Sequence, residues 1–170
     1  MEGLAGFDEP AASDPLLRDG RLSPQARRVL RGSGRLLRAL GFSILSELPL
    51  SDGRRADIVA LNGAGDIWIV EIKSSLADLR SDQKWPDYLA HCDRFFFAAP
   101  RELDMAVFPT DPGYIAADEH GAAILREAGE IRLSAARRKA VTLRFATIAA
   151  QRLHNLWDGG FAGIGEVERG

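Results

Sequence analysis

The sequence predicts an α/β fold in which helices flank a mixed central sheet. Three observations carry this. Apolar residues recur at the helical period over 24–40 and again over 135–157. Between them the period drops to two, or to continuous apolar runs, in FSILSEL (42–48), ADIVAL (56–61), IWIVEIK (67–73) and RFFFAA (94–99). Strands that are apolar on both faces belong at the centre of a sheet covered on both sides, and the order helix, three strands, helix, strand supplies the covers.

Residues 1–20, with Pro10 and Pro15 and little periodicity, read as a flexible tail. Ser23-Pro24 reads as an N-cap and first helical residue, and Gly41 as the stop. On the helix between them, Ala26, Val29, Leu30, Ser33, Leu36, Leu37 and Leu40 fall on one side and Arg27, Arg28, Arg31, Arg35 and Arg38 on the other. Gly32 and Gly34 each weaken it by up to about 1 kcal/mol. NGAGD (62–66) joins two strands as a turn, and Ser74 and Ser75 after the third strand suit a helix cap or turn. A helical stretch follows over 82–91, interrupted by Pro86, and Pro100 ends the fourth strand. Residues 101–107 read as a short helix. YIAAD (114–118) and AAILRE (122–127) read as a hairpin around Glu119-His120-Gly121, and 130–133 as a short strand. The last helix, 135–157, carries Val141, Phe145, Ile148 and Leu156 near one face, and 158–170 is a flexible glycine-rich tail. Residues 21–157 therefore form one domain without internal repeats.

Composition narrows the class. The chain has 170 residues, 46% hydrophobic and 27% charged, which excludes a disordered polymer, a collagen-like repeat and a disulfide scaffold. The single cysteine, Cys92, fits a reducing compartment and reads as a small buried hydrophobe. No run of about 18 apolar residues would span a membrane, and the acidic N-terminus does not suit a secretory signal, so the expected location is the cytoplasm. The net charge of −2 argues against a general nucleic-acid coat protein. The charge is uneven, however: 18–38 hold seven arginines against Asp19, and 132–144 hold Arg132, Arg137, Arg138, Lys139 and Arg144 with no acid. Both islands read as solvated helix faces or as phosphate contacts.

The hairpin 56–73 carries the chemistry. A symmetric five-residue loop pairs Leu61 with Ile67, Val59 with Ile69 and Asp57 with Glu71, and Lys73 points to the face of Glu71. A slip of two residues leaves these side chains on the same face. Adjacent carboxylates repel, and desolvation makes each harder to ionise. A divalent cation between them removes both penalties. Mg²⁺ suits carboxylate and carbonyl oxygens, with Mn²⁺ the alternative, and the Ile72 carbonyl is a further donor. Such an ion acidifies water, and Lys73 would position that water or stabilise charge developing on a phosphate. Glu47 joins the row if strands 42–48 and 56–61 are antiparallel neighbours. Arg54 and Arg55, beside Asp57, suit either a phosphate or nearby acids. As a purely structural alternative, Asp57, Glu71 and Lys73 form a salt bridge where the strand leaves the core.

Asp57, thirteen intervening residues, then Glu71-Ile72-Lys73 resembles the PD-(D/E)XK nuclease signature. The resemblance implies a restriction-endonuclease-like core of helix, three strands, helix and strand over 24–99. More narrowly, RRADIVAL, IWIVEIKSS and SDQKWPDYLAHCDRFFFAAP resemble the MmcB-like DNA-repair family over about 20–150. This implies a metal-dependent DNA nuclease acting in repair, with DNA as partner, no membrane, and a homodimer as one option among relatives that cut two strands. The signature's proline is Ala56 here, and the first helix lacks the glutamate that many relatives place there, which shifts that burden to Glu47. Some relatives carry Gln-x-x-x-Tyr on the following helix. Here Gln83 is five and Lys84 four residues before Tyr88, so either suits the catalytic position. On this reading Arg31, Arg35, Arg54 and Arg55 engage the DNA backbone. A non-cleaving DNA-binding or repair-scaffold protein of the same fold is the alternative.

Overall fold

The computed structural model describes residues 22–81 and 84–158. Helix α1 spans Pro24–Ala39, capped where Ser23 Oγ accepts the Ala26 N–H at 3.1 Å, and the chain leaves it through Gly41 at φ 86°. Six strands follow: β1 (Phe42–Pro49), β2 (Arg55–Asn62), β3 (Ile67–Ile72), β4 (Arg94–Pro100), β5 (Gly113–Ala117) and β6 (Ala122–Arg126). Helix α2 (Leu76–Ser81) follows β3, and α3 (Ala135–Trp157) ends the described chain. The sheet order is β1-β2-β3-β4-β5-β6. The β3–β4 and β4–β5 pairs are parallel and the other three antiparallel, so the sheet is mixed as expected. The element order α1-β1-β2-β3-α2-β4 is the helix–three strands–helix–strand core.

Period-two alternation sorts the strand residues between two cores. On one face Ile58, Ala60, Val70, Phe96, Ala98 and Ile115 pack under Val29, Leu30 and Leu37 of α1. On the other, Val59, Ile69, Phe95 and Phe97 pack with Tyr88, Cys92, Phe108, Tyr114 and with Val141 and Phe145 of α3. One of the two glycines of α1, Gly32, is explained here. A Cβ on Gly32 would stand inside van der Waals contact of the Asp118 and Gly121 carbonyl oxygens, so the glycine lets the helix lie against the β5–β6 turn. Arg35 fastens the same contact, donating to the carbonyls of Glu119 at 2.9 Å and His120 at 3.0 Å.

Four expectations are corrected. The helical stretch at 82–91 is a 3₁₀ helix, Trp85–Ala90, separate from α2, because Pro86 lacks the N–H an α-helical ladder needs. Residues 101–107 contain only a 3₁₀ turn, Met105–Val107, capped by Asp104. Residues 130–133 are not a strand; their amides go to Asp93 instead of a neighbouring strand. Leu156 is exposed, because α3 continues past Arg152, which bonds the end of β1, into solvent. The tails 1–20 and 159–170 lie outside the described residues.

Asp93 is buried at 4% exposure. Its Oδ2 accepts the Ile67 N–H (2.8 Å) and Arg138 Nη1 (2.7 Å); its Oδ1 accepts the Leu133 N–H (3.1 Å) and Arg138 Nη2 (2.6 Å). Burial alone would raise this carboxyl, but the Arg138 guanidinium and the two amides outweigh it and hold the pKa below the ordinary carboxylate range. Arg138, from the second basic island, thus serves the fold.

Two predictions follow from these contacts. Gly32→Ala is expected to lower stability by about 2 kcal/mol in thermal unfolding, because the lost close approach outweighs the gain in helix propensity. Asp93→Asn is expected to cost about 3 kcal/mol. A folded pKa below the unfolded one stabilises above the unfolded value, and that contribution disappears as pH falls through both. Acid unfolding of the wild type, followed by circular dichroism below about pH 4, should therefore show a stability loss that Asp93→Asn lacks.

Candidate active site

The β2–β3 ladder runs from Leu61↔Ile67 to Ile58↔Val70 and then opens. Beyond it β2 continues along β1 through Ala56↔Leu48, and β3 along β4 through Glu71↔Phe97 and Ile72↔Ala98. The two carboxylates occupy this fork. Asp57 donates its N–H to Glu71 Oε1 at 3.0 Å, and Asp57 Oδ2 accepts the Ile72 N–H at 2.8 Å. The side chains thereby replace the ladder bonds that the diverging strands leave unmade. This agrees with the expected opposition of Asp57 and Glu71.

Glu71 and Lys73 are buried and Asp57 half-buried. The Lys73 ammonium lies 6.0 Å from the Phe97 ring centroid, on the face of Glu71. Burial pushes the Asp57 carboxyl up to about 6; the Ile72 N–H and Lys73 pull it down, while Glu47 and Asp78 push it further up. Burial is thus the main cost of ionising Asp57, with Glu47 and Asp78 adding to it and Lys73 offsetting part.

Glu47 falls opposite Asp57, between the pairs Ser46↔Ile58 and Leu48↔Ala56. It is the single non-glycine residue with positive φ among the described residues, at 52°. Its carboxylate is ion-paired with Arg55. Arg152 of α3 holds the distorted backbone, donating to the carbonyls of Ser46 and, at 2.8 Å, Glu47. Among the described residues no three of His, Cys, Asp and Glu are grouped to hold a metal ion, so the side-chain donors gathered at the fork are the pair Asp57 and Glu71.

Among the other predicted residues, Arg54 pairs with Asp52 and Asp87 at the rim of the same face. Arg31 is exposed and Arg35 is bound to the β5–β6 turn; both belong to α1, which covers the opposite sheet face. Lys84 is exposed at the cap of the 3₁₀ helix, and Gln83 lies outside the described residues. Sequence reasoning missed two contributors. Asp78 accepts the Ser74 N–H at 2.9 Å while its own N–H goes to Ser75 Oγ at 3.2 Å, which fixes the chain leaving Lys73. The Ser75-x-x-Asp78 spacing of a capping box was its signal. Arg152 had none, since its partners are backbone carbonyls about a hundred residues away.

The fold and the fork define the class: a mixed six-stranded sheet flanked by helices, with two carboxylates at an open strand end. The chain belongs to the MmcB-like DNA repair protein family, whose model matches residues 13–160. A Silicibacter pomeroyi protein of unknown function is 43% identical, covering 86% of this chain and 99% of that one, with a TM-score of 0.79. A repair endonuclease from Pyrococcus abyssi is 21% identical over 46% of this chain and 37% of that one; its TM-score of 0.33 is too low to bear on fold or function. No curated protein matches. No helix among the described residues is long and apolar enough to cross a membrane.

Arg152→Ala is expected to free the end of β1. Amide exchange at Glu47 and Leu48 should accelerate, and the loss of about 1.5 kcal/mol should lower Tm by ~3–6 °C. Arg152→Lys should restore little, because one ammonium cannot hold two carbonyls in a planar fork.

Proposed function

We propose that the protein is a metal-dependent deoxyribonuclease acting in DNA repair in the bacterial cytoplasm. The observation that supports this most is the pairing of Asp57 and Glu71 at an open strand fork beside the Lys73 ammonium. The donor set fits Mg²⁺, or Mn²⁺ in its place. Both ions take hard carboxylate oxygens, Mg²⁺ needs only one or two of them, and a cation offsets both the burial and the neighbouring acids that raise Asp57. Asp57 and Glu71 would hold the ion, with the Ile72 carbonyl as a third donor and Glu47 in reserve behind Arg55. When bound, it would acidify water and polarise a phosphoryl oxygen.

The chain's own residues do the rest. The amides of Asp57 and Ile72 keep both carboxylates in fixed orientations, so little reorganisation accompanies binding. Lys73, held over Phe97, orients the attacking water and offsets charge that develops on the phosphate. Lys84, at the cap of the 3₁₀ helix, or Gln83 would assist. Arg54 and Arg55 reach DNA by exchanging a carboxylate partner for a phosphate. The absence of any acid on α1 favours a second reading, a DNA-binding repair protein of the same fold that does not cleave.

Calorimetric titration of Mn²⁺ and Mg²⁺ should detect binding to the wild type that Asp57→Ala/Glu71→Ala loses. Metal-stimulated cleavage of duplex, single-stranded or branched DNA should disappear in the same variant. A wild type that binds these DNAs but cuts none of them with either metal leaves the non-cleaving reading.

A further inference from the structure

A groove of about 360 Å³ runs between the first turns of α3 and the β1–β2 connection. Ser51, Ala90, His91, Arg137, Ala140, Val141 and Arg144 line it, and no carboxylate does. Residues 131–157 contain no aspartate or glutamate at all. The arginines at the acidic fork are paired with carboxylates, Arg54 with Asp52 and Asp87, Arg55 with Glu47. Arg137 differs: its guanidinium meets no partner among the described residues. Arg144 lies seven residues, about two helical turns, further on, and so on the same side of α3. Its Nε is anchored on the Pro49 carbonyl, which leaves both terminal nitrogens as donors.

We propose that this groove binds a backbone phosphate of DNA, with Arg137 and Arg144 as its charged donors and Ser51 as a neutral one. Its place suits that ligand. Val141, which lines the groove, packs into the same core as Val59 and Ile69, so the groove lies on the sheet face that Asp57 and Glu71 share. The β1–β2 connection links the two places directly: Asp52 contacts both His91 in the groove wall and Arg54, three residues before Asp57. A phosphodiester presents anionic oxygens at regular intervals and draws on forked guanidinium donors. The inference rests on the nuclease reading for the choice of DNA, and it adds a second contact point away from the acids.

The test is binding of a fluorescein-labelled duplex and its single strand, by anisotropy over a salt series, in EDTA and again with Mg²⁺. Arg137→Ala/Arg144→Ala should lower the slope of log affinity against log salt by up to ~2, about 0.9 for each lost contact on duplex. Arg137→Glu alone should weaken binding further than Arg137→Ala. It removes no internal contact, so it tests the groove even if loss of the Arg144 anchor unfolds the double variant. Arg38→Ala, on the helix of the opposite face, is the comparison. Groove variants that keep the wild-type slope, or lose no more than Arg38→Ala, overturn the groove and leave the metal site standing. A wild type that binds neither DNA overturns both. A lower slope with no cleavage by the wild type keeps the groove and removes the nuclease reading.

Discussion

The buried carboxylate of Asp93 ties the molecule together. Four hydrogen bonds to its two oxygens join the start of β3, the irregular segment before α3, and α3 itself. Few side chains bury α3 against the sheet, for Val141 and Phe145 are the buried residues among its 23. With Arg138 locked at one end, the helix is directed across the sheet so that Arg152 reaches the end of β1. The desolvation of one aspartate is therefore balanced by contacts that also set the position of the acidic fork.

The fork is a local conflict resolved by side chains. Strand β3 follows β4 while β2 follows β1, and the amides of Asp57 and Ile72 lose their ladder partners. Carboxylates fill the vacancy well, because a charged acceptor strengthens the bond. The same substitution holds two acids close together, and burial, with the acids Glu47 and Asp78 adding to it, pushes Asp57 up. Structural need and chemical use coincide here: what completes the ladder also gathers oxygen donors at a half-open sheet end.

Arginine pairing separates the roles of two basic islands that look alike as sequence. Arg28 and Arg35 brace the β5–β6 turn and Arg138 braces Asp93, so part of each island belongs to the fold. Arg137 and Arg144, the latter anchored through Nε on the Pro49 carbonyl, line a groove on the face of the acids.

Periodicity and spacing alone determined the α/β class, the core order from α1 to β4, the register of β2 on β3 and the pairing of Asp57 with Glu71. Those features depend on near neighbours in the chain: a period of 3.6 or two, a cap, a five-residue turn. Tertiary structure decided the rest. Residues 130–133 look like a strand by composition but give their amides to Asp93, and Leu156 keeps the helical phase of Phe145 yet faces solvent. Gly32 reads as a helix weakness and is a contact surface. Glu47 was legible as an acid near Asp57, but its left-handed backbone and its hold by Arg152 were not. Each of these outcomes turns on a partner distant in the chain, and no local pattern encodes which distant carbonyl or carboxylate a side chain will meet.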